Sequence, residues 1–165
     1  MYIFDKTVVP ILLYGAEVWG FKYYKILEEV QVNFCKNALG LPRNAANLAA
    51  LGECGRYPLA VEAYVKCIKY WLKIQGMPTG RYPRSCYKLM KQMEESGYTT
   101  WASYVKNLLM KYGFGHVWLA HCVGDVKSFI SVFRQRVQDC CQQDFLWKAI
   151  FILSSKMSSL KGRSL

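Results

Sequence analysis

Acidic residues are scarce in this chain. Asp and Glu number 11 against 22 Lys and Arg, a formal net charge of +11. No two aspartates are adjacent, so closely set carboxylates able to hold a pair of catalytic metal ions have no local signature. Glu28–Glu29 and Glu94–Glu95 sit on polar helix faces. Successive helical residues point about 100° apart, and both pairs read as solvated surface. Histidine is scarcer still, at 2. His116, His121 and Cys122 fall as H-x4-H-C, which fits no common zinc spacing and has no fourth ligand nearby, so no metal site is expected. The 7 cysteines are odd in number and lack a C-x-x-C. That argues against a disulfide framework and for a reducing compartment. Cys140 and Cys141 adjoin on a helix and cannot both face one site. There is no phosphate-binding glycine loop, no G-x-S-x-G and no Ser/His/Asp order. The chain is expected not to be an enzyme and to need no cofactor. No apolar run approaches the ~18 residues of a membrane span. The run Val8–Leu13 is short, is flanked by Asp5, Lys6 and Glu17, and lacks the frame of a signal peptide. An intracellular protein of nucleus or cytoplasm, with no membrane partner, follows as the expectation.

Apolar and aromatic residues are plentiful. Hydrophobic residues make up 53% and aromatics 15%, enough for a packed core and too many for a disordered tail. Helical periodicity dominates, and alternating strand patterns are few. The expected fold is all-α, an irregular multi-helix bundle of one domain or two small helical subdomains. A first helix is expected over about 3–19, buried on several sides and kinked or split at Pro10. A second, over about 24–39, would turn Leu27, Val30, Phe34 and Leu41 inward and Glu28, Glu29, Gln31 and Lys36 outward. Gly40 and Pro42 stop it. Asn44 is placed as the cap of a short helix to about Leu51. The clearest helix runs over 58–75, with Val61, Val65, Ile68 and Leu72 as its apolar stripe and Glu62 four residues before Lys66 for support. Gly76, Pro78, Gly80 and Pro83 mark a candidate boundary between region 1–76 and region 84–153. Further helices are expected over 85–95, from a Thr100 cap to Gly113, over about 114–122, and from an Asp125 cap toward Ile152. The Ser/Lys-rich end, 154–165, reads as a frayed tail.

The basic excess points to a polyanion. Basic and aromatic residues interleave at Lys22-Tyr23-Tyr24-Lys25, around Tyr70 and Trp71, and at Arg81-Tyr82-Pro83-Arg84 with Tyr87-Lys88. Such groups neutralise phosphates while rings stack on bases. Lysines on a solvated face over a core of aromatics would give the same pattern. The preferred footprint is Lys66, Lys69 and Lys73 on one helix face. Lys127 and Arg134, seven apart on another helix, come second. Glu17 and Arg56 each lie in an apolar, glycine-punctuated setting, and Arg56 is expected to form a structural ion pair with Glu17 or Glu53.

The opening stretch Thr7–Gly20, TVVPILLYGAEVWG, resembles the segment that follows the polymerase palm in reverse transcriptases of non-LTR (LINE-type) retrotransposons, roughly [IV]-x-P-x-L-x-Y-G-x-E-x-W. Asn33-Phe34-Cys35-Lys36 with Leu39-Gly40 is similar to that family's F-C-[KR]-x-x-L-G helix. Gly52-Glu53-Cys54-Gly55-Arg56-Tyr57-Pro58-Leu59 resembles its G-E-[LC]-G-R-[YF]-P-L turn. Lys69-Tyr70-Trp71-Leu72-Lys73 resembles the [VI]-K-Y-W-L-K that follows. Trp101-Ala102, Gly113-Phe114, Val117-Trp118 and Phe133-Arg134-Gln135-Arg136 are similar to the tail of many animal elements. Each motif is weak alone, while their order and spacing together are specific. The resemblance implies a thumb-like region over 1–76 and a helical extension over 84–153, gripping a template–primer duplex by its backbone. It implies RNA, DNA or an RNA–DNA hybrid as partner, along with the palm of a parent RNA-directed DNA polymerase that is missing here. With no palm Asp-Asp pair and no endonuclease residues to carry over, the implied role is binding without catalysis. The alternative is a residual or co-opted helical domain that binds another protein.

Overall fold

The computed structural model describes residues 2–22 and 25–161, with side chains through Trp147. Among these the regular structure is helical and no strand forms, as the periodicity leads one to expect. A π-helical turn, Phe4–Val8, leads into α1 (Val9–Leu12) and α2 (Ala16–Trp19). There follow α3 (Lys25–Ala38), α4 (Asn47–Glu53), α5 (Leu59–Gln75), α6 (Tyr82–Glu95), α7 (Trp101–Lys111), α8 (Gly115–Ala120) and α9 (Val126–Lys161).

The element that organises the rest is α5. Its Val61, Val65, Ile68, Trp71 and Leu72 pack with Tyr87 of α6, Leu109 of α7, Trp118 of α8 and Phe133 of α9 in one apolar cluster. The core therefore crosses the turn at 76–83, which does not separate two cores. Arg84 closes that turn from the far side by donating to the Ile74 carbonyl at the end of α5, at 3.0 Å. Smaller clusters join α1 and α2 to α5 through Leu13, Ala16, Leu59 and Ala63, and α3 to α4 through Val32, Cys35, Ala50 and Leu51. All seven thiols are free. The most enclosed, Cys67, donates to the Ala16 carbonyl at 3.1 Å, and burial pushes its pKa up to about 12.

The first segment departs from expectation in two ways. Pro10 does not itself mark the break. Its missing N–H and its ring would strain a preceding α-turn, and the chain widens there into the π-helical turn, with the Val9 N–H bonded to the Phe4 carbonyl. The break comes at Gly15, whose φ of 67° suits glycine and disfavours other residues. Nor is the segment surrounded. Ile11, Tyr14 and Val18 are 75%, 85% and 62% exposed, because α5, Leu27 and Phe34 of α3 and Trp101 of α7 cover only the other side of the segment. Against α5 the fit is close: a Cβ at Gly20 would stand 3.1 Å from both Ala63 Cβ and Cys67 Sγ.

The inward face of α3 is also rotated from the expected one. Glu28, Gln31 and Lys36 are buried, whereas Val30 and Leu41 are exposed. The cause is the loop before α5. Pro58 precedes Leu59 and has no side-chain acceptor, so Glu28 serves as the cap. Its carboxylate accepts the N–H of Leu59 at 3.1 Å and of Ala60 at 3.0 Å. Gln31 donates to the Tyr57 carbonyl at 2.8 Å, and Lys36 to the Arg43 carbonyl at 2.7 Å. Buried polar groups are tolerable only with such partners. Glu28→Ala is thus expected to destabilise the fold by about 1–3 kcal/mol by stranding those N–H groups, measurable by urea unfolding. Burial raises the Glu28 pKa above the ordinary 4.5, against the lowering effect of the two N–H bonds. A raised folded pKa means that protonation favours the fold. The carboxyl's contribution is full below pH 4.5 and declines as pH rises through the folded value. The stability gap between wild type and Glu28→Ala should narrow over that interval.

Local capping elsewhere is mixed. Asn44 does not cap α4, whose N-cap is Ala46. Thr100 and Asp125 do cap as expected: the Thr100 N–H donates to Ser103 Oγ at 3.0 Å, and Asp125 Oδ2 accepts the Ser128 N–H at 2.7 Å. Those hydrogen bonds from Ser128 and Lys127 hold the Asp125 carboxyl below the usual aspartate value. From there α9 continues without interruption for 36 residues, about 54 Å at 1.5 Å per residue. The expected tail at 154–165 is helical backbone to Lys161, and 162–165 lie outside the described residues.

Candidate nucleic-acid interface

On α5, Glu62, Lys66, Lys69 and Lys73 recur at intervals of four, three and four, so they share one stripe of the helix. On α9, Lys127 and Arg134 are two turns apart and also share a side. Packing of α9 against α5 turns the two stripes into the walls of a groove of about 490 Å³. Lys69, Lys73, Lys127 and Arg134 line it, with Leu72, Val126 and Ile130 as an apolar floor. The preferred and the second sequence footprints thus meet in one place. Lys69, Lys73 and Lys127 are exposed, and no carboxylate pairs with them among the described residues. Because Asp125 already occupies the first N–H groups of α9, an anion in the groove would be met by side chains and not by the helix end.

Lys66 behaves differently. Its ammonium donates to the Leu13 carbonyl at 2.8 Å, which also accepts the Ala16 N–H at 3.2 Å where α1 gives way to α2. It does not line the four-cation groove, and the support expected from Glu62 goes elsewhere: Glu62 forms an ion pair with Arg134. Lys66→Ala is accordingly expected to cost about 1.5–3 kcal/mol of stability while leaving the salt dependence of any polyanion binding unchanged. Thermal melts and salt titrations of the single variant check the two halves of that statement.

Glu17 and Arg56 are not partners of the expected kind. The carboxylate that Arg56 meets is Asp5. Its Nε also points to Gln31 Oε1 at 3.4 Å, and its guanidinium lies over the Phe4 ring at 4.9 Å. The first helical turn brings Asp5 to this position, a long-range placement that local spacing does not encode. Glu17 instead lines a second, shallower groove of about 260 Å³ with Lys66, Lys69, Tyr70 and Lys73. Its backbone carbonyl accepts the Trp101 indole N–H at 3.2 Å.

The aromatic half of the expected footprint is mostly core. Trp71 is fully buried and Tyr87 is 2% exposed, with the Trp71 indole donating to the Tyr87 hydroxyl at 3.0 Å. Tyr70 stands edge-on to Trp101 at 6.0 Å. Arg84 is occupied with the α5 terminus. Of that cluster, Arg81, Tyr82 and Lys88 remain exposed. Tyr23 and Tyr24 lie outside the described residues, and Lys25 pairs with Glu29 at 3.7 Å. His121 packs on Trp118 at 5.3 Å, and among the described residues no three of His, Cys, Asp and Glu come together as a metal-binding set. Nor is any described helix long and apolar enough to cross a membrane.

Sequence reasoning overlooked Asp5 and the role of Glu62. Glu62 carried a readable signal, since it falls on the same stripe as the three lysines. What it pairs with depends on α9, more than sixty residues away. Compared with known protein families, with curated proteins and with solved structures, the chain finds no match.

Proposed function

We propose that this chain binds the sugar–phosphate backbone of RNA, DNA or an RNA–DNA hybrid through the α5–α9 groove, without catalysing a reaction of its own. The carrying observation is the convergence of Lys69, Lys73, Lys127 and Arg134 on one groove in a chain of net charge +11. The groove has no aromatic side chain in its lining, which favours backbone contact over base stacking. The role agrees with the resemblance to the post-palm region of a non-LTR reverse transcriptase, where a helical thumb and its extension hold template and primer while another part performs the chemistry. Affinity for a labelled RNA–DNA hybrid should fall steeply as salt rises. Absence of measurable hybrid binding at low salt rejects this function.

One observation favours a second role. Tyr2, Ile3, Ile11, Tyr14 and Val18 leave large apolar side chains exposed along the first helical segment, and exposed apolar patches commonly mark protein–protein contacts. A partner protein, the palm in the parent family, would cover that face. Self-association in place of hybrid binding, relieved by Ile11→Ser and Val18→Ser, would favour protein interaction as the main role.

A further inference from the structure

Arg134 lines the basic groove, yet it is ion-paired to Glu62. Glu62 in turn lines a separate groove of about 550 Å³ on the other side, together with Asp5, Arg56, Lys66 and Gln138. Lys127 faces Lys69 and Lys73, while Arg134 reaches Glu62, so α9 runs antiparallel to α5. The Glu62–Arg134 pair therefore closes one end of the basic groove and divides it from its neighbour. We propose that Glu62 is a built-in competitor for phosphate: it holds Arg134 in the free protein and gives it up when a backbone phosphate arrives at that end of the groove. This rests on the nucleic-acid reading above and adds to it a residue that sets affinity.

Three physical points carry the proposal. Both side chains are partly open to solvent, 33% for Arg134 and 41% for Glu62. Pairs exposed to this degree are held weakly and exchange partners readily. The guanidinium presents a planar fork of donors that suits two phosphate oxygens as well as a carboxylate. And no carboxylate lines this groove, so among the described residues only Glu62, from outside it, neutralises a groove cation by direct pairing, leaving Lys69, Lys73 and Lys127 as the fixed contacts. In the bound state the released Glu62 faces the separate 550 Å³ groove, where Arg56 and Lys66 stand.

A double-mutant cycle on the full chain tests this, using a labelled RNA–DNA hybrid over a salt series with Glu62→Gln, Arg134→Ala and the two combined. Glu62→Gln should raise affinity on the order of fivefold at 50 mM salt by removing the competitor, with the number of phosphate contacts unchanged. The loss of affinity between 50 and 200 mM should stay near the wild-type value, about 150-fold for four contacts at slopes of roughly −0.9 each. In the Arg134→Ala background the same Glu62→Gln change should give no gain. If the gain persists without Arg134, Glu62 acts only through its general charge and the proposal is overturned. No gain in either background overturns it too, while wild-type binding would leave the backbone-binding role standing. Failure of the wild-type chain to bind rejects both together. Thermal melts of the four proteins show that folding is intact; if Arg134→Ala fails to fold, Arg134→Lys replaces it, and a gain undiminished by the loss of the planar fork overturns the proposal.

Discussion

Alanine at Lys69, Lys73 and Lys127 together should remove most of the salt dependence of hybrid binding while leaving the fold intact. The three side chains are exposed, and exposed substitutions away from special features usually change stability by no more than about 0.5 kcal/mol each. Each lysine that neutralises a phosphate releases bound counterion. Three such contacts give a slope of roughly −2.7 in log affinity against log salt, or about a fortyfold loss between 50 and 200 mM. The triple variant should lose that share, keep only the slope of roughly −0.9 due to Arg134, and bind weakly at every salt concentration. A variant that kept the wild-type slope would move the binding surface elsewhere, to the exposed Arg81, Tyr82 and Lys88 on α6. Lys66, on the same stripe of α5, makes a useful contrast. Its ammonium is engaged by Leu13, so its loss should register in the melt and not in the titration.

The largest effect on stability is expected at Trp71. Its side chain is 0% exposed, stacks on Trp118 at 5.9 Å with an interplanar angle of 22°, and donates its indole N–H to Tyr87 at 3.0 Å. Trp71→Ala removes the largest fully buried side chain among the described residues and takes the indole donor from the Tyr87 hydroxyl, whose pKa burial already raises. Truncations of this kind cost about 3–5 kcal/mol, a large part of the ~5–15 kcal/mol that holds a typical domain together. Trp71→Phe keeps most of the ring volume, loses the donor, and should cost clearly less. Urea unfolding of the three proteins gives the order. A Trp71→Ala cost below about 1 kcal/mol would contradict α5 as the centre of the core. Lys69 and Lys73 flank Trp71 on the same helix, so the loss of core order should also spread the groove's cations and weaken hybrid binding.

Much of the fold was legible because it depends on neighbours in sequence. The Val61, Val65, Ile68 and Leu72 stripe of α5 was readable from its 3.6-residue period, and all four are buried. Thr100 and Asp125 were readable as caps because a cap bonds within its own first turn. The failures share a cause. Glu28 read as solvent-facing from the polarity around it, yet it is drawn inward to the N–H groups of Leu59 and Ala60, some thirty residues away. Asn44 had the chemistry of a cap, but α4 begins three residues later. Pro10 foretold a disturbance and misplaced it, since the widened turn before it absorbs the missing bond and Gly15 supplies the break. Arg56 was rightly read as an ion-pair residue, but its carboxylate is Asp5.

The candidate site divides the same way. Which lysines share a face of α5 is a matter of helical spacing, and the sequence alone determined it, together with the all-helical character, the basic excess and the residues that end most helices. Only the tertiary structure decided that Lys127 and Arg134 face Lys69 and Lys73 across one groove, that Leu13 takes Lys66 out of it, and that Glu62 holds Arg134 at its end. The physical reason is range. Helical periodicity and capping act over a few residues, whereas the net charge of a groove depends on which distant carbonyls and carboxylates the packing of α1, α5 and α9 brings to each cation.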